Sequence, residues 1–545
     1  MGIQQLQQQL ELFRLACADR PFWLFAAVLF IFLCLLTLIR GRTRDDAGPR
    51  EGSAMSAATV AAVLTIATYV AIVLWYLWQE PYYDYAEPTI AAVGWLFELG
   101  RPIYHGVDAA ERYSHVYGPL AFIIPGSVLA VAGPSILTSK IAGAAAGLLG
   151  LGLVYRLARS ATGRRRALLL TGLFAMAGLM YRNLSFWLRP DSFLLLFTSC
   201  ALLAATRQRK WLAAIGVGVG AGVLVNLKIT GLFYALPAFG LLMARFGGPS
   251  VATAAVTAML TALLPFAAFD NVSLVHYLQW IRMSAGNGLW LTTLRQNTEW
   301  ALFLLVPLAP TLLVSPPPSL PRGGRRWLYG TFLLGLAGVV VSASKPGAAP
   351  YHLMPFWPIV VYAMALHVDA VEVSLRTDRF YRAGRLAFPI VIFSIAFVQQ
   401  VYFLSTMKKM DGVEGKADLE QFVRANPRRS IGMGYAHQDE RLTWVRPVLV
   451  FRTGQYLIDA PAVQEYQMSG LGFPARTEEA VRRCAVDLWL FPRHAKPFDG
   501  PNAYPTTGYA PLFPEHFKQV FFEHYEHARD TRYFQVWRCR QPAAS

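Results

Sequence analysis

The chain has 545 residues, of which 55% are hydrophobic and 15% charged, against about 25% charged in soluble domains, and this excludes a soluble protein with polar surfaces. Its formal net charge of +17 requires no nucleic acid, because much of the excess sits in short basic loops whose natural partners are anionic lipid headgroups. No P-loop, dinucleotide fingerprint or zinc-type Cys/His spacing occurs, and no cofactor is expected, although a divalent metal is not ruled out.

The apolar residues come in blocks near the length that crosses the ~30 Å hydrocarbon core of a bilayer. In chain order the expected spans are 22–39, 55–78, 136–157, 167–187, 191–206, 211–227, 229–245, 250–269, 299–315, 326–343, 354–371 and 387–404. The first is too long for a cleaved signal core, and Arg40, Arg42 and Arg44 follow it directly. Basic loops at Arg40–Arg50, Arg156–Arg166, Arg207–Lys210, Arg322–Arg326 and Arg376–Arg385 are expected on the cytoplasmic side. Parity then allows one crossing between residue 80 and Arg156. The segment 136–157 is taken as that crossing, and the Gly- and Pro-containing stretch 117–133 as re-entrant or lying along the membrane. The fold expected is a polytopic α-helical membrane protein of about twelve spans with a C-terminal extracytoplasmic α/β domain. Residues 1–54 form an anchor helix and basic loop. Residues 55–405 form the membrane domain, with a large first outer loop at 80–135, and 406–545 form the outer domain.

Polar residues at the outer ends of spans are where chemistry is sought. In Trp78–Pro88, Asp84 and Glu87 immediately precede a helix that Pro88 opens and Gly100 closes. A carboxylate there can act as a general base, or Glu87 can simply cap the helix while Asp84 stays solvated. Arg189-Pro190-Asp191 starts another helix, with Asp191 in its first turn. Lys228 interrupts a long apolar stretch, and snorkelling at a span end is the plain alternative. Lys345 and His352 lie at a later outer end. Loop 270–298 contributes Asp270, His276, Arg282 and Arg295 among aromatic residues. Carboxylates from two loops and cations from three thus share one face. They suit activation of an acceptor hydroxyl and stabilisation of a phosphate leaving group.

The set resembles the class C glycosyltransferases (GT-C), the group that includes protein O-mannosyltransferases and aminoarabinose transferases. The resemblance rests on Asp84-Tyr85-Ala86-Glu87, Gly100, Tyr104 and Tyr117-Gly118-Pro119-Leu120, then Arg189-Pro190-Asp191, Lys228-Ile229-Thr230-Gly231 and Lys345–Pro355. It covers roughly residues 55–405. An adjacent Asp-Glu pair, usual in the family, is absent, because Ala86 precedes Glu87. The base is therefore Asp84 or Glu87, with Asp84 preferred. No Lys or Arg directly precedes Tyr117, so Arg112 and His115 are the nearest candidates for donor phosphate contact. The resemblance implies an inverting glycosyltransferase in the bacterial inner membrane. It would use a polyprenyl-phosphate-sugar donor and an envelope glycan, lipid or protein acceptor on the extracytoplasmic face. Asp84, Glu87 and Asp191 would be catalytic, and Arg189, Lys228, Lys345, His352, Arg112, His115 and Arg282 would hold the donor phosphate or lipid. A transporter or flippase of lipid-linked sugars, a glycan polymerase or ligase, and a non-catalytic scaffold are the alternatives.

In the outer domain, Ser430–Tyr435 reads as a strand and turn, and Val448–Phe451 and Val486–Phe491 read as strands. Thr477–Cys484 reads as a helix, and Phe517–Tyr525 with Tyr533–Arg538 as a closing strand hairpin. Cys484 and Cys539 either pair as a disulfide or remain as two thiols.

Overall fold

The structure is a computed structural model and describes residues 50–180, 185–308, 323–375, 415–436, 440–500 and 511–540. The expected spans 22–39 and 387–404, with Cys17 and Cys34, lie outside these residues. The helices of the membrane part are α1 (Arg50–Trp78), α2 (Glu87–Glu98), α3 (Leu120–Ala132), α4 (Ile136–Arg159), α5 (Arg164–Met180), α6 (Pro190–Ala205) and α7 (Lys210–Leu227). They continue with α8 (Gly231–Phe246), α9 (Gly248–Ala268), α10 (Leu274–Ala285), α11 (Leu291–Leu305), α12 (Gly324–Ser342) and α13 (Trp357–Leu375). A 3-10 turn at Pro350–Phe356 runs directly into α13.

Among the described residues, five segments are long and apolar enough to cross a membrane: Ala58–Trp78, Ile136–Arg159, Lys210–Leu227, Gly248–Ala268 and Pro350–Val368. Apolar helices α6 and α8 are shorter. The chain is therefore a largely helical, polytopic membrane protein. Val256, Met259, Leu260 and Leu264 of α9 are exposed, as a lipid-facing surface requires. Ile359, Val360, Val361 and Ala363 of α13 are buried, at the centre of the bundle. Helix α4 shows how sequence sets the ends. Ser135 and Thr138 form a reciprocal capping box at its start, and Arg156 and Arg159 occupy its last turn, where cations complement the helix dipole.

The segment between α1 and α4 carries α2 and α3, which pack on each other. Helix α3 has 13 residues, or about 20 Å, too short for a ~30 Å core. Helix α2 begins at Glu87 with Pro88 in its first turn. Its end matches expectation. Gly100 has φ +75°, its N–H bonds to Phe97 O, and Arg101 N–H bonds to Leu96 O. A side chain would disfavour that left-handed closure.

The C-terminal part comprises α14 (Gly415–Ala425), β1 (Ile431–Met433), α15 (Arg446–Thr453), α16 (Ala460–Met468), α17 (Ala475–Arg482), β2 (Leu488–Pro492), α18 (Glu515–His524), β3 (Tyr525–Asp530) and β4 (Phe534–Cys539). The sheet order is β1-β2-β4-β3. β1 and β2 run parallel, while β2–β4 and β3–β4 are antiparallel. One aromatic core, including Trp489, Phe491, Phe498, Phe513, Phe517 and Phe521, fills the space beside it.

Two expectations fail here. Val448–Phe451 is helical, not extended. The run follows Pro447 in the first turn of α15 and ends at a left-handed Gly454 cap, and a short apolar run carries no period that separates helix from strand. Residues 517–524 are also helical. Phe517, Val520 and Phe521 of α18 are buried at helical spacing, and the hairpin starts only at Tyr525. Helix α17 begins two residues before Thr477, whose hydroxyl donates to Ala110 O at 2.8 Å.

Cys484 and Cys539 form a disulfide across 55 residues. Closing a loop of that length in the unfolded chain is worth about 4 kcal/mol. Replacing both cysteines by serine is expected to lower the unfolding midpoint of the C-terminal part, read from tryptophan fluorescence, while leaving the membrane helices folded by circular dichroism.

Candidate active site at the outer ends of the helices

The structure brings Asp84, Glu87, Arg189, Asp191, Lys228 and His352 together where α1, α6, α7 and the Pro350–Phe356 turn meet the first outer loop. Arg189 is the hub. Its side chain is 4% exposed, it precedes α6, and Pro190 starts that helix. Its Nη1 meets Asp84 Oδ1 at 2.8 Å, and its Nε lies 3.5 Å from Asp191 Oδ2. Its Nη2 donates to the hydroxyls of Tyr117 at 3.4 Å and Tyr351 at 3.3 Å. The guanidinium also sits over the Tyr351 ring at 5.1 Å. A planar cation so surrounded is fixed in orientation.

The two candidate bases differ sharply. Glu87 is fully buried and its carboxylate is saturated. Oε2 accepts from Tyr83 N at 2.8 Å and Asp84 N at 3.0 Å. Oε1 accepts from the Tyr76 hydroxyl and from Leu188 N at 3.2 Å. Burial raises its pKa, opposed by the nearby Lys140 charge and the Tyr76 hydrogen bond. Glu87 thus organises the loop from inside. Asp84 remains 16% exposed. Its Oδ1 takes both the Arg189 bond and a bond from Ala86 N at 2.9 Å, and Oδ2 makes no hydrogen bond among the described residues. Of the pair, Asp84 is the carboxylate that a substrate can reach.

Lys228 sits between α7 and α8 in a tight turn, with Gly231 N bonded to Lys228 O at 2.7 Å. Its ammonium meets His352 Nδ1 at 3.2 Å and lies 5.6 Å from the Tyr117 ring centroid. An ammonium only donates, so the facing imidazole nitrogen accepts. Tyr234 donates to His352 O at 2.8 Å and fixes the turn. Burial pushes the Lys228 pKa down to about 8, with Asp191 pulling the other way. Gly118 allows the outer loop to lie against this turn. Its N–H bonds to Leu227 O at 3.1 Å, and a β-carbon there would run into the Asn226 carbonyl.

Lys345 and His115 flank this cluster, while Arg112 and Arg282 lie apart from it. Lys345 donates to Ser284 Oγ at 2.6 Å. That hydroxyl also reaches Glu465 of α16 at 3.3 Å, and Asn287 reaches the same oxygen at 3.2 Å. His115 is buried, stacked on Tyr117 at 4.9 Å, and neither ring nitrogen has a hydrogen-bond partner among the described residues. Burial lowers its pKa, which leaves a neutral imidazole with one free donor and one free acceptor. Arg112 donates to Val107 O and Ala109 O and lies 4.9 Å from the Tyr466 ring centroid, which makes it a staple of the outer loop. Arg282 is exposed on α10, apart from this cluster.

Three contributors were not anticipated. Lys140, buried in α4, donates to Gln79 O and Pro81 O, each at 2.7 Å, and to Tyr76 O at 3.4 Å. A lysine inside an apolar span was its signal. Glu465 and Arg446 come from the C-terminal part, and no local motif marked either. Among the described residues, no group of three or more His, Cys, Asp or Glu side chains is arranged to hold a metal.

The sequence model of the dolichyl-phosphate-mannose-protein mannosyltransferase family matches residues 117–270. No curated protein matches the chain by sequence. The fold is similar to the crystal structure of ArnT from Cupriavidus metallidurans bound to undecaprenyl phosphate. The TM-score is 0.50 at 12% identity, over 87% of this chain and 97% of that one. The apo ArnT structure aligns with a TM-score of 0.48 at 13% identity, over 88% and 98% of the two chains. The oligosaccharyltransferase of Archaeoglobus fulgidus aligns over 88% of this chain and 74% of its own, at 11% identity and a TM-score of 0.39. At such identities the likeness is one of fold.

Proposed function

We propose that the chain is a membrane glycosyltransferase of the class C (GT-C) superfamily, one that transfers a sugar from a polyprenyl-phosphate donor to an acceptor hydroxyl. The observation that carries this reading is the Asp84–Arg189–Asp191 cluster with Lys228 beside it. A reachable carboxylate, a buried arginine and a half-buried lysine share one site, and the similar ArnT structure binds undecaprenyl phosphate. The place proposed is the bacterial inner membrane, with the site and the C-terminal part on the extracytoplasmic face. The acceptor is an envelope glycan, lipid or protein.

The chemistry follows from the charges. Asp84 Oδ2 takes the proton of the acceptor hydroxyl. The acceptor oxygen attacks the anomeric carbon from the face opposite the phosphate. The bond between that carbon and the phosphate oxygen breaks, and its electron pair stays with the lipid phosphate. One displacement inverts the anomeric centre. Lys228, Arg189 and Lys345 receive the growing negative charge on the phosphate, a role for which buried cations are effective. Asp191, 3.5 Å from Arg189 Nε, holds that guanidinium toward the site.

Purified protein given a panel of polyprenyl-phosphate sugars is expected to transfer or hydrolyse at least one of them. Movement of intact donor across sealed vesicles without bond cleavage would instead mark a flippase. A pH profile tests the cation. With the Lys228 pKa at about 8, the charged form binds phosphate below that value and is lost above it. The free-enzyme kcat/KM for donor is therefore expected to fall about tenfold per pH unit above pH ~8. Lys228→Arg, charged throughout, should remove that alkaline limb; a limb unchanged in this variant would take Lys228 out of the role.

A further inference from the structure

Among its contacts with the segment between α1 and α4, the C-terminal part places one buried arginine against the backbone beside Asp84. Arg446 begins α15 and is 2% exposed. Its Nη2 donates to the backbone oxygen of Tyr85 at 3.1 Å and to Thr89 Oγ1 at 2.8 Å. Nε donates to the Tyr456 hydroxyl at 2.9 Å, and Nη1 to Thr443 O at 3.3 Å. Asp459, fully buried, pairs with Nη2 at 3.2 Å. The same Asp459 oxygen accepts from Thr89 at 2.9 Å, from Tyr435 at 3.3 Å and from Tyr456. Next to this pair the backbones join, since Arg112 N bonds to Leu457 O at 2.6 Å and Asp459 N to Arg112 O at 2.7 Å.

Tyr85 follows Asp84 directly. On the other side of Asp84, Lys140 holds the carbonyls of Gln79 and Pro81. Two buried cations, one from a membrane helix and one from the C-terminal part, therefore grip the backbone on either side of the candidate base. A tether made only for stability would have no reason to end on the carbonyl adjacent to that residue. A buried ion pair is also a poor way to gain stability, because its desolvation costs about as much as its attraction returns. What such a pair does supply is a fixed direction, and a misplacement of 1 Å at a reacting group can cost about 100-fold in rate.

We propose that Arg446, held by Asp459, is a positioning residue for Asp84, so that the C-terminal part is an obligate portion of the catalytic apparatus. This rests on the glycosyl-transfer reading given above. Arg446 touches no substrate and acts through the Tyr85 carbonyl. The chemistry at Asp84 thus requires the α15–α16 region to be docked on α2.

The test uses the full-length chain in three forms. Arg446→Lys keeps the charge but cannot bond Tyr85 O, Thr89 and Tyr456 together. Arg446→Met with Asp459→Leu removes both buried charges at once, avoiding an unpaired one. Arg452→Met, exposed on the same helix, is the control. With a polyprenyl-phosphate sugar, both Arg446 variants are expected to lose about 10- to 100-fold in kcat while donor KM stays within about twofold. The control should match the parent chain. Amide hydrogen exchange at residues 82–88 should rise in both Arg446 variants and not in the control. Unchanged kcat with unchanged exchange overturns the proposal, as does a loss of activity that only tracks the loss of folded protein. If the parent chain turns over no donor, the functional reading fails, and exchange at residues 82–88 still decides whether Arg446 holds the loop.

Discussion

Asp84→Asn is expected to lower transfer by about 10^2–10^4-fold in a protein that remains folded. The asparagine oxygen can still accept the bonds that Asp84 Oδ1 takes from Arg189 Nη1 at 2.8 Å and Ala86 N at 2.9 Å. Only the second oxygen, the one free to take a proton, becomes an amide that cannot. Single-turnover transfer and a thermal unfolding curve on the same preparation separate chemistry from folding. Glu87→Gln provides the contrast. Four donors converge on that carboxylate, and an amide nitrogen in either position would face donors with another donor. Leaving buried donors unsatisfied costs about 1–3 kcal/mol each, so this variant should lose stability together with activity. If instead Glu87→Gln unfolds normally and loses transfer, while Asp84→Asn turns over at the parent rate, the two carboxylates have exchanged roles.

Lys140→Met is expected to be the most destabilising single change outside the reacting groups. Methionine fills much of the same volume but offers no donor. Three carbonyls, of Tyr76, Gln79 and Pro81, would lose their partner. The faces of Tyr76, Tyr82 and Tyr83, whose ring centroids lie 4.8–5.6 Å from the ammonium, would lose their cation. The nearby Glu87 charge would lose its counter-charge. Removing one member of a buried charge pair costs about 3–5 kcal/mol. The unfolding midpoint in detergent should fall by several degrees, and transfer should fall with it, because residues 79–85 carry Asp84. A parent-like midpoint would show that the loop does not depend on this lysine.

The order of polar motifs along the chain was readable because each sits where a span ends, and hydropathy locates span ends well. Pro88, Gly100 and Pro190 announced helix boundaries by their own stereochemistry, and the structure uses them as such. The parity of basic loops, a global constraint rather than a local one, set 117–133 apart from the crossings, and the helix found there, α3, has 13 residues. Residue roles were less legible. Asp84 and Glu87 are three residues apart with similar chemistry, yet one is reachable and the other is sealed. That difference comes from Tyr76 and Leu188, 11 and 101 positions from Glu87. Arg446 and Glu465 could not be found, because their partners lie on segments hundreds of residues earlier. In the C-terminal part, four adjacent apolar residues at 448–451 fitted a buried strand as well as a buried helix. Only packing against α2 decided between them.

The backbone bridge between Arg112 and Ile458 also sets a timetable for biosynthesis. The segment that clasps Arg112 leaves the ribosome about 350 residues after it. At ~5–20 residues per second the nascent protein spends roughly 20–70 s with the Arg112 segment unclasped. During that interval the backbone at Tyr85 lacks the Arg446 contact. Docking of the segment around Ile458 is thereby the last step in building the region that holds Asp84.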